Sequence, residues 1–277
     1  MIKLIKKAFN IKTDIIFVRI ATILAHLGVI YSFFIFNSAW LFVIAAGMAL
    51  MVSVFMDVGY HRYYSHRAFK ASKLFEILTV IFTIPAAIGS PMAWAALHRY
   101  HHKHSDTDDD PHSPYNLSLF QMLTLDYDYR RFERTVFLTK DFLKEKWHIM
   151  LHRHYFDLVF LLYGITFIIN PVLFIIVCAY PAVYNYYTYM VTNYLEHVNF
   201  PLSQRPYDSN DNSVNNIFLN WGTFGHTGLH NNHHAKPSGW RYDIGGAWWE
   251  FDSGRWVLEL FSKIGLVSKP TKTNLGQ

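Results

Sequence analysis

Long hydrophobic stretches alternate with polar segments along the 277-residue chain. A helix needs about 20 apolar residues to cross the hydrocarbon core of a bilayer. Four stretches approach or reach that length, at residues 14–36, 39–58, 156–169 and 171–194. The third is short unless its helix begins earlier, within the histidine-rich residues that precede it. The pattern predicts an all-α membrane protein with four transmembrane helices in two hairpins.

A fifth apolar stretch covers residues 74–97 and is interrupted by Pro85, Gly89 and Pro91. Proline within a helix removes a backbone hydrogen bond and clashes with the preceding turn. We therefore expect a broken helix here, either re-entrant or lying at the membrane interface.

The positive charges test this arrangement. All 25 Lys and Arg residues fall within residues 3–19, 62–153 and 205–272. Two hairpins with uncharged outer turns place all of them on one side, as the positive-inside rule requires. We expect a multi-pass integral membrane protein with both termini cytosolic, a basic N-terminal segment retained as a signal anchor, and a cytosolic helical cap formed by residues 100–155 and 198–277.

Composition supports one membrane-embedded domain over residues 1–277. Hydrophobic residues make up 52% and charged residues 16%, against about 25% charged in soluble domains. The alternative is a soluble helical protein with buried hairpins. The one cysteine, Cys178, excludes an internal disulfide framework. The net charge of +5 alone does not indicate nucleic acid, because the basic residues form no patch with interleaved aromatic residues.

Sixteen histidines form the strongest chemical signal, because most of them cluster. The clusters have the patterns H-x-x-x-x-H, H-x-x-H-H and H-x-x-H-H, and one further histidine follows the fourth hydrophobic stretch. These residues are His61 and His66; His98, His101 and His102; His230, His233 and His234; and His197.

In a helix, residues at i, i+3 and i+4 share a face, so each H-x-x-H-H is expected to aim three imidazoles at one point. The spacing of five between His61 and His66 suits a helix end that distorts at the site. A structural zinc needs four ligands, whereas these clusters offer eight or nine imidazoles, which suits two metals.

The other histidines receive weaker interpretations. His104, His112 and His226 lie close to the triplets in sequence and are expected to support the ligands rather than bind metal. His26 is expected to pack or to form a hydrogen bond within the first helix. His148, His152 and His154 are expected to lie at the membrane interface.

In these motifs the chain resembles the membrane fatty-acyl desaturases of the stearoyl-CoA and bacterial delta-9 type. The matching segments are GYHRYYSHRAFK, HRYHHKHSDTDDDPHSP, NYLEHV, RPYD, HNNHHA and WWEFD, in the order found in that family. The resemblance implies four membrane helices, a cytosolic cap, and a site at their junction that holds two iron ions and uses O2 as co-substrate. The resemblance also implies that the nine clustered histidines are the iron ligands.

The resemblance also implies that Asn193 contacts one iron through a water molecule and that Trp94 helps to shape a tunnel for the acyl chain. The implied reaction is O2-dependent desaturation of a saturated fatty-acyl chain. Two electrons must come from outside, because the sequence has no dinucleotide fingerprint and no fused haem domain. A donor such as ferredoxin or cytochrome b5 is implied.

Two departures leave the acyl carrier open. Animal acyl-CoA enzymes read W-A-R-D-H where this chain reads Trp94-Ala95-Ala96-Leu97-His98, and the acid before the third cluster is missing from residues 226–229. The carrier could be CoA, acyl carrier protein or a membrane lipid. A di-iron hydroxylase of lipid, alkane or carotenoid and a non-catalytic membrane metal-binding or transport protein are the alternative functions.

Overall fold

The structure is a computed structural model that describes residues 11–126 and 135–268. The predicted cytosolic placement of the two termini concerns residues 1–10 and 269–277, which lie outside the described ranges. The described residues are mainly helical, as the sequence predicted, with four short strands.

The first predicted hairpin is present. Helix α1 (Ile11–Ile35) and helix α2 (Ala39–Phe55) are joined by a short turn, and the Ser38 side chain caps α2 by accepting the Trp40 amide. Helix α2 continues without a break as a π-helix over Met56–Ser65. The continuous helix Ala39–Ser65 therefore carries the first histidine cluster at one end.

The predicted broken helix is also present. Helix α3 (Lys73–Thr83) and a 3-10 turn (Ile84–Ala86) precede helix α4 (Pro91–His104), and the two helical arms are bent by 83°. At the break Gly89 has a φ of +103°, which glycine adopts without strain. The Ser90 side chain then caps α4 by accepting the Ala93 amide.

Helix α5 (Leu119–Leu123) and two 3-10 turns (Thr135–Thr139 and Phe142–Lys144) lead to helix α6 (Lys146–Ile169). Helix α6 begins ten residues before the predicted third span. Its first half carries Arg153, Asp157 and three histidines.

The fourth stretch forms helix α7 (Pro171–Phe174), a π-helical turn (Ile175–Ala179) and helix α8 (Tyr180–Leu195). In the described ranges, three helices are long and apolar enough to cross a membrane: 14–35, 39–65 and 171–195. The count rises to four if the bent α3–α4 pair is one broken span. Helix α6 is not among them, so the predicted set of four spans is not confirmed.

Helix α8 packs against both helices of the first hairpin. Small residues permit close packing on this side, as in many membrane helix pairs. Ala25 is fully buried, and a Cβ on Gly28 would lie 2.8 Å from the Cβ of Ala179.

The remaining segments fold over one end of the helices. Strand β1 (Lys70–Ala71) pairs antiparallel with β4 (Val267–Ser268), which joins the chain after the π-helix to the last described residues. The intervening elements are β2 (Ser203–Gln204), β3 (Asn215–Asn216), α9 (Ile217–Gly222), α10 (His230–Ala235) and α11 (Ser253–Lys263), with β2 paired antiparallel to β3.

Candidate metal centre

The first histidine cluster lies on the π-helix at the end of α2. The amide of His66 donates to the His61 carbonyl, five residues earlier, at 3.2 Å. This i to i+5 bond defines a π-helix, a conformation found frequently at functional sites. The widened turn brings the two imidazoles onto the same side, with ring centroids 5.0 Å apart. The distortion expected from the spacing of five therefore occurs.

The third cluster lies on α10, which has only six residues. So short a helix is not stable alone, and buried asparagines hold it. Asn232 donates its side-chain amide to the Tyr242 carbonyl at 2.7 Å and accepts the Asn215 side chain. Asn231 accepts the Tyr207 amide at 2.9 Å. The two asparagines of HNNHH therefore fix the helix that carries the histidines.

The nine clustered histidines come together as two groups. In each group the ligand nitrogens lie within 4.8 Å of one another. The first group, hereafter the five-histidine group, contains His61, His66, His98, His102 and His233. The second, the four-histidine group, contains His101, His197, His230 and His234.

The expectation that each H-x-x-H-H aims at a single point is wrong. On α4, His98 and His102 join the five-histidine group, whereas His101 joins the other. On α10 the division is reversed, since only His233 joins the five-histidine group. Residues at i and i+4 lie about 40° apart around a helix, but i+3 points about 100° away from i+4. Each triplet therefore serves both groups.

Carboxylates orient four of these imidazoles. Each Nδ1–H donates to an acid, which leaves Nε2 as an unprotonated acceptor facing its group. The pairs are His61 with Asp57 at 3.3 Å, His101 with Asp110 at 3.0 Å, His197 with Asp106 at 2.9 Å, and His234 with Asp211 at 2.5 Å. In addition, the Nδ1 of His230 lies 3.1 Å from Glu196.

This arrangement fits a metal. The Nε2 atoms of His197 and His230 lie 2.9 Å apart, and those of His98 and His66 lie 2.8 Å apart. Two ligands at right angles on one cation, with bonds of about 2.1 Å, are separated by about 3 Å. Within the described residues, the buried Nε2 atoms of His101 and His234 have no hydrogen-bond partner. Converging lone pairs repel one another unless a cation lies between them.

Burial favours the neutral form of the imidazoles of the third cluster. It lowers the pKa of His230 and of His233 well below the usual imidazole value, and it lowers the pKa of His234 to about 4 although Asp211 accepts its N–H. Only a neutral imidazole can bind a metal. At neutral pH the third cluster is therefore in the protonation state that a metal site requires.

A buried ion cluster supports the π-helix. Arg62 is fully buried and binds Asp57 through Nε at 3.1 Å and Asp252 through Nη2 at 2.6 Å. Asp252 in turn caps α11 by accepting the Arg255 amide. A Cβ on Gly254 would lie 2.1 Å from the Asp57 carboxylate, so glycine is required there. The cluster links α11 to the acid that orients His61.

A cavity lies beside both groups. Its lining includes His61, His233, Asn193 and Trp94. The Trp94 indole stacks on the His98 ring, with centroids 4.8 Å apart and planes at 20°. The structure thus places the predicted tunnel residue and the predicted water-mediated ligand at this cavity, next to the histidines.

Two of the three predicted supporting histidines contact the site. His112 stacks on His101 with centroids 4.3 Å apart, and His226 lines the cavity and hydrogen-bonds Ser253. The His104 ring contacts the Tyr100 ring at a tilt of 37°, and His104 belongs to neither group.

The remaining histidines lie elsewhere. His26 pairs with the Thr22 carbonyl and the Tyr187 hydroxyl, as expected. His148 and His152 are buried, and His152 contacts Ser90, whereas His154 is exposed.

The supporting carboxylates were not predicted from the sequence. Asp57 stands four residues before His61, so helical spacing was available as a signal. Glu196 directly precedes His197 but lies against His230, so adjacency in sequence does not reveal its partner. Asp110 lies in the DDDPH run. Asp211 gives no local signal, because 23 residues separate it from His234.

Comparisons with known proteins give the family of the chain. The fatty acid desaturase family profile matches residues 38–262. The sn-1 stearoyl-lipid 9-desaturase of Anabaena variabilis is 30% identical over 256 residues, which cover 88% of this chain and 89% of the relative.

Two further relatives differ in the carrier that their names give. The acyl-CoA 5-desaturase of Anemone leveillei is 31% identical over 76% of this chain and 65% of its own length. A hex-5-enoyl acyl-carrier-protein acetylenase of Moorena producens (strain JHB) is 28% identical over 80% of this chain and 74% of its own. The profile match and these identities show that the chain belongs to the fatty acid desaturase family and is an enzyme that desaturates fatty acyl chains.

Proposed function

We propose that the two histidine groups bind two iron ions and that the enzyme carries out O2-dependent, delta-9 type desaturation of a saturated acyl chain. The convergence of nine buried imidazoles as two separate groups carries this proposal. The name of the Anabaena relative, a stearoyl-lipid 9-desaturase, supports the position of the double bond. Because the chain belongs to a family of enzymes, we do not favour the alternative of a non-catalytic metal-binding protein.

The residues of the chain have three tasks at this centre. When bound, the iron pair supplies the activation of O2 and the removal of two hydrogens from neighbouring methylenes. The carboxylates hold the imidazoles in one tautomer and orientation, which preserves the geometry of the site. Asn193 and His230 line the same cavity, and we propose that Asn193 holds a water beside the four-histidine group.

The cavity walls position the chain and exclude water. Trp94, Tyr189 and Leu229 give the lining an apolar part where methylenes can lie. Trp94 contacts both His61 and His98, with ring centroids 5.9 Å and 4.8 Å away. An acyl chain against this indole would therefore lie beside the five-histidine group. We accordingly propose Trp94 as part of the tunnel wall.

We further propose that four helices cross the bilayer in two hairpins, with α6 as the third, and that the site and both termini are cytosolic. The placement of all 25 basic residues supports this topology. The electrons come from a separate donor such as ferredoxin or cytochrome b5, because the sequence has no nucleotide-binding fingerprint.

The test is direct assay of the purified, iron-loaded chain in lipid with a reductase and donor, O2 and saturated C18 substrates. Mass spectrometry should find a monounsaturated product with the double bond at carbon 9. A hydroxylated product alone would instead identify a di-iron hydroxylase. Absence of any product from protein that carries both irons and accepts electrons would refute the proposal.

A further inference from the structure

One face of the cap is apolar although it belongs to the polar part of the chain. Residues 217–229 contain no Lys, Arg, Asp or Glu. Within them Trp221 and Phe224 are 57% and 53% exposed. The Phe251 ring lies 5.3 Å from Trp221, 6.1 Å from Phe224 and 5.8 Å from Trp256. These four residues form one continuous patch, hereafter the aromatic surface.

Helix α11 extends this surface toward the membrane helices. Trp256 and Leu260 are exposed on one side of α11, four residues apart, and the exposed Ile264 directly follows the helix as its C-cap. On the same helix Phe261 packs against Phe55, with ring centroids 6.0 Å apart. Phe55 belongs to the candidate span 39–65. The exposed stripe therefore belongs to a helix that packs against a candidate membrane span.

The same segment that carries the aromatic surface also lines the histidine cavity. Gly225, His226 and Thr227 line the cavity beside His230. Phe224 and Gly225 have positive φ values of 55° and 76°. A Cβ on Gly225 would lie 2.7 Å from the Phe251 ring, so this turn packs tightly against the surface. One turn thus connects the aromatic surface with the site.

The charges near this surface argue against a soluble carrier. CoA carries phosphates, and acyl carrier proteins are acidic, so either would require free basic side chains at the point of docking. Residues 217–229 supply none. On α11, Arg255 is paired with Asp243 at 2.7 Å and with Glu259 at 3.5 Å. The other basic residue of this helix, Lys263, is exposed in its last turn, two turns beyond Trp256. Exposed Trp and Phe side chains instead suit the interfacial region of a bilayer.

We propose that the aromatic surface lies in the headgroup region of the bilayer and admits the acyl chain of a membrane lipid to the histidine cavity. This inference rests on the proposed function, because it takes the cavity as the place of desaturation. It assigns the acyl carrier, which neither the sequence motifs nor the relatives decide.

Depth measurement tests the contact with lipid without any assay of activity. Cys178, the one native cysteine, is buried, so an introduced cysteine can be labelled selectively. The full chain with Phe224→Cys or Leu260→Cys is labelled with a nitroxide in phosphatidylcholine nanodiscs, with Gln204→Cys, an exposed cap position, as the matched control. We expect the first two labels to be accessible to O2 and protected from a water-soluble nickel chelate. Chelate accessibility equal to that of the control would overturn the proposal.

The carrier is tested with the iron-loaded enzyme and its donor. Wild type is offered a saturated C18 chain on phosphatidylcholine in the nanodisc or, separately, as soluble thioesters of CoA and acyl carrier protein. Trp221→Glu should lower desaturation of the lipid-borne chain by about tenfold, because it replaces an apolar contact with lipid by a charge. Trp221→Phe should retain the wild-type rate.

The results separate the two proposals. Turnover of a soluble thioester alone, or an unchanged lipid rate in Trp221→Glu, would overturn lipid entry while leaving desaturation intact. Failure of wild type with every carrier would refute the proposed function and, with it, entry of the acyl chain at this surface. The nitroxide labels would still decide whether the surface contacts the bilayer.

Discussion

At the residue scale, four imidazoles of the site depend on a carboxylate that accepts their Nδ1–H. Asp57, Asp106, Asp110 and Asp211 each accept an Nδ1–H, and all four are at most 7% exposed at the side chain. Such acids fix the tautomer and raise the basicity of the coordinating nitrogen. The four-histidine group relies on them most, because acids lie beside the Nδ1 atoms of all its members.

Removing one ligand should distinguish the clustered histidines from the others. We expect His233→Ala to abolish turnover and to lower the iron content, because His233 Nε2 lies 3.0 Å from that of His61 and 2.8 Å from that of His102. His154→Ala is the matched control, since His154 is exposed and hydrogen-bonds Asp157 rather than a histidine of the site. Metal analysis of both purified variants checks this, and wild-type activity in His233→Ala would contradict the site.

Removing the charge of a supporting acid should weaken metal binding without changing the volume of the side chain. Asp211→Asn keeps the size of the side chain but no longer offers His234 a carboxylate. We expect iron affinity to fall about 10- to 100-fold, as for other supporting residues of metal sites. Competition with an iron chelator measures the change. Asp208→Asn, exposed in the same loop, should bind iron like wild type, and equal affinity in both variants would argue against this role for Asp211.

At the element scale, the π-helix and α11 depend on each other. Arg62 of the π-helix is buried between Asp57 and Asp252, and its guanidinium lies 4.2 Å from the centre of the Tyr242 ring. A buried charge that loses its partner is strongly destabilising. The position of α11 is therefore coupled to the orientation of His61, although α11 carries no histidine.

Gly254→Ala tests this coupling. The new Cβ would lie 2.1 Å from the Asp57 carboxylate and 2.8 Å from Arg62 Nη2, so the buried ion cluster must shift. We expect the free energy of unfolding to fall by about 1–3 kcal/mol, the usual cost of overpacking. Gly47→Ala is the control, because a Cβ there meets nothing within 4 Å. Thermal unfolding in detergent measures both, and equal stability of the two variants would contradict the close contact.

At the scale of the whole molecule, charged contacts bind the segment after α5 to the helices of the site. Asp141 accepts hydrogen bonds from Arg99 on α4 and from Arg67, just beyond the π-helix. Burial raises the pKa of Asp141, but these two arginines outweigh burial and lower the pKa to about 2. A lowered carboxyl pKa stabilises the fold above the pKa of the unfolded chain, about 4, and this contribution is lost as the pH falls toward 2.

Asp141→Asn should therefore lose stability at neutral pH. We expect a loss of about 1 kcal/mol, since solvent screens partly exposed ion pairs. The difference from wild type should narrow as the pH falls from about 4 to about 2. Unfolding of both proteins across this range measures it, and a difference that stays constant with pH would exclude the proposed cause.

The sequence by itself determined the hairpin before the first cluster, the break at Gly89 and the clustering of nine histidines. Hydrophobic runs, proline and histidine spacing act within a few turns of chain, so they can be read locally. Only the tertiary structure decided how the imidazoles divide. His98 and His233 meet in one group although 135 positions separate them, and His101 leaves its own triplet for the other. The tertiary structure also decided which acids support the histidines and where the aromatic surface lies, because both depend on contacts between segments distant in sequence.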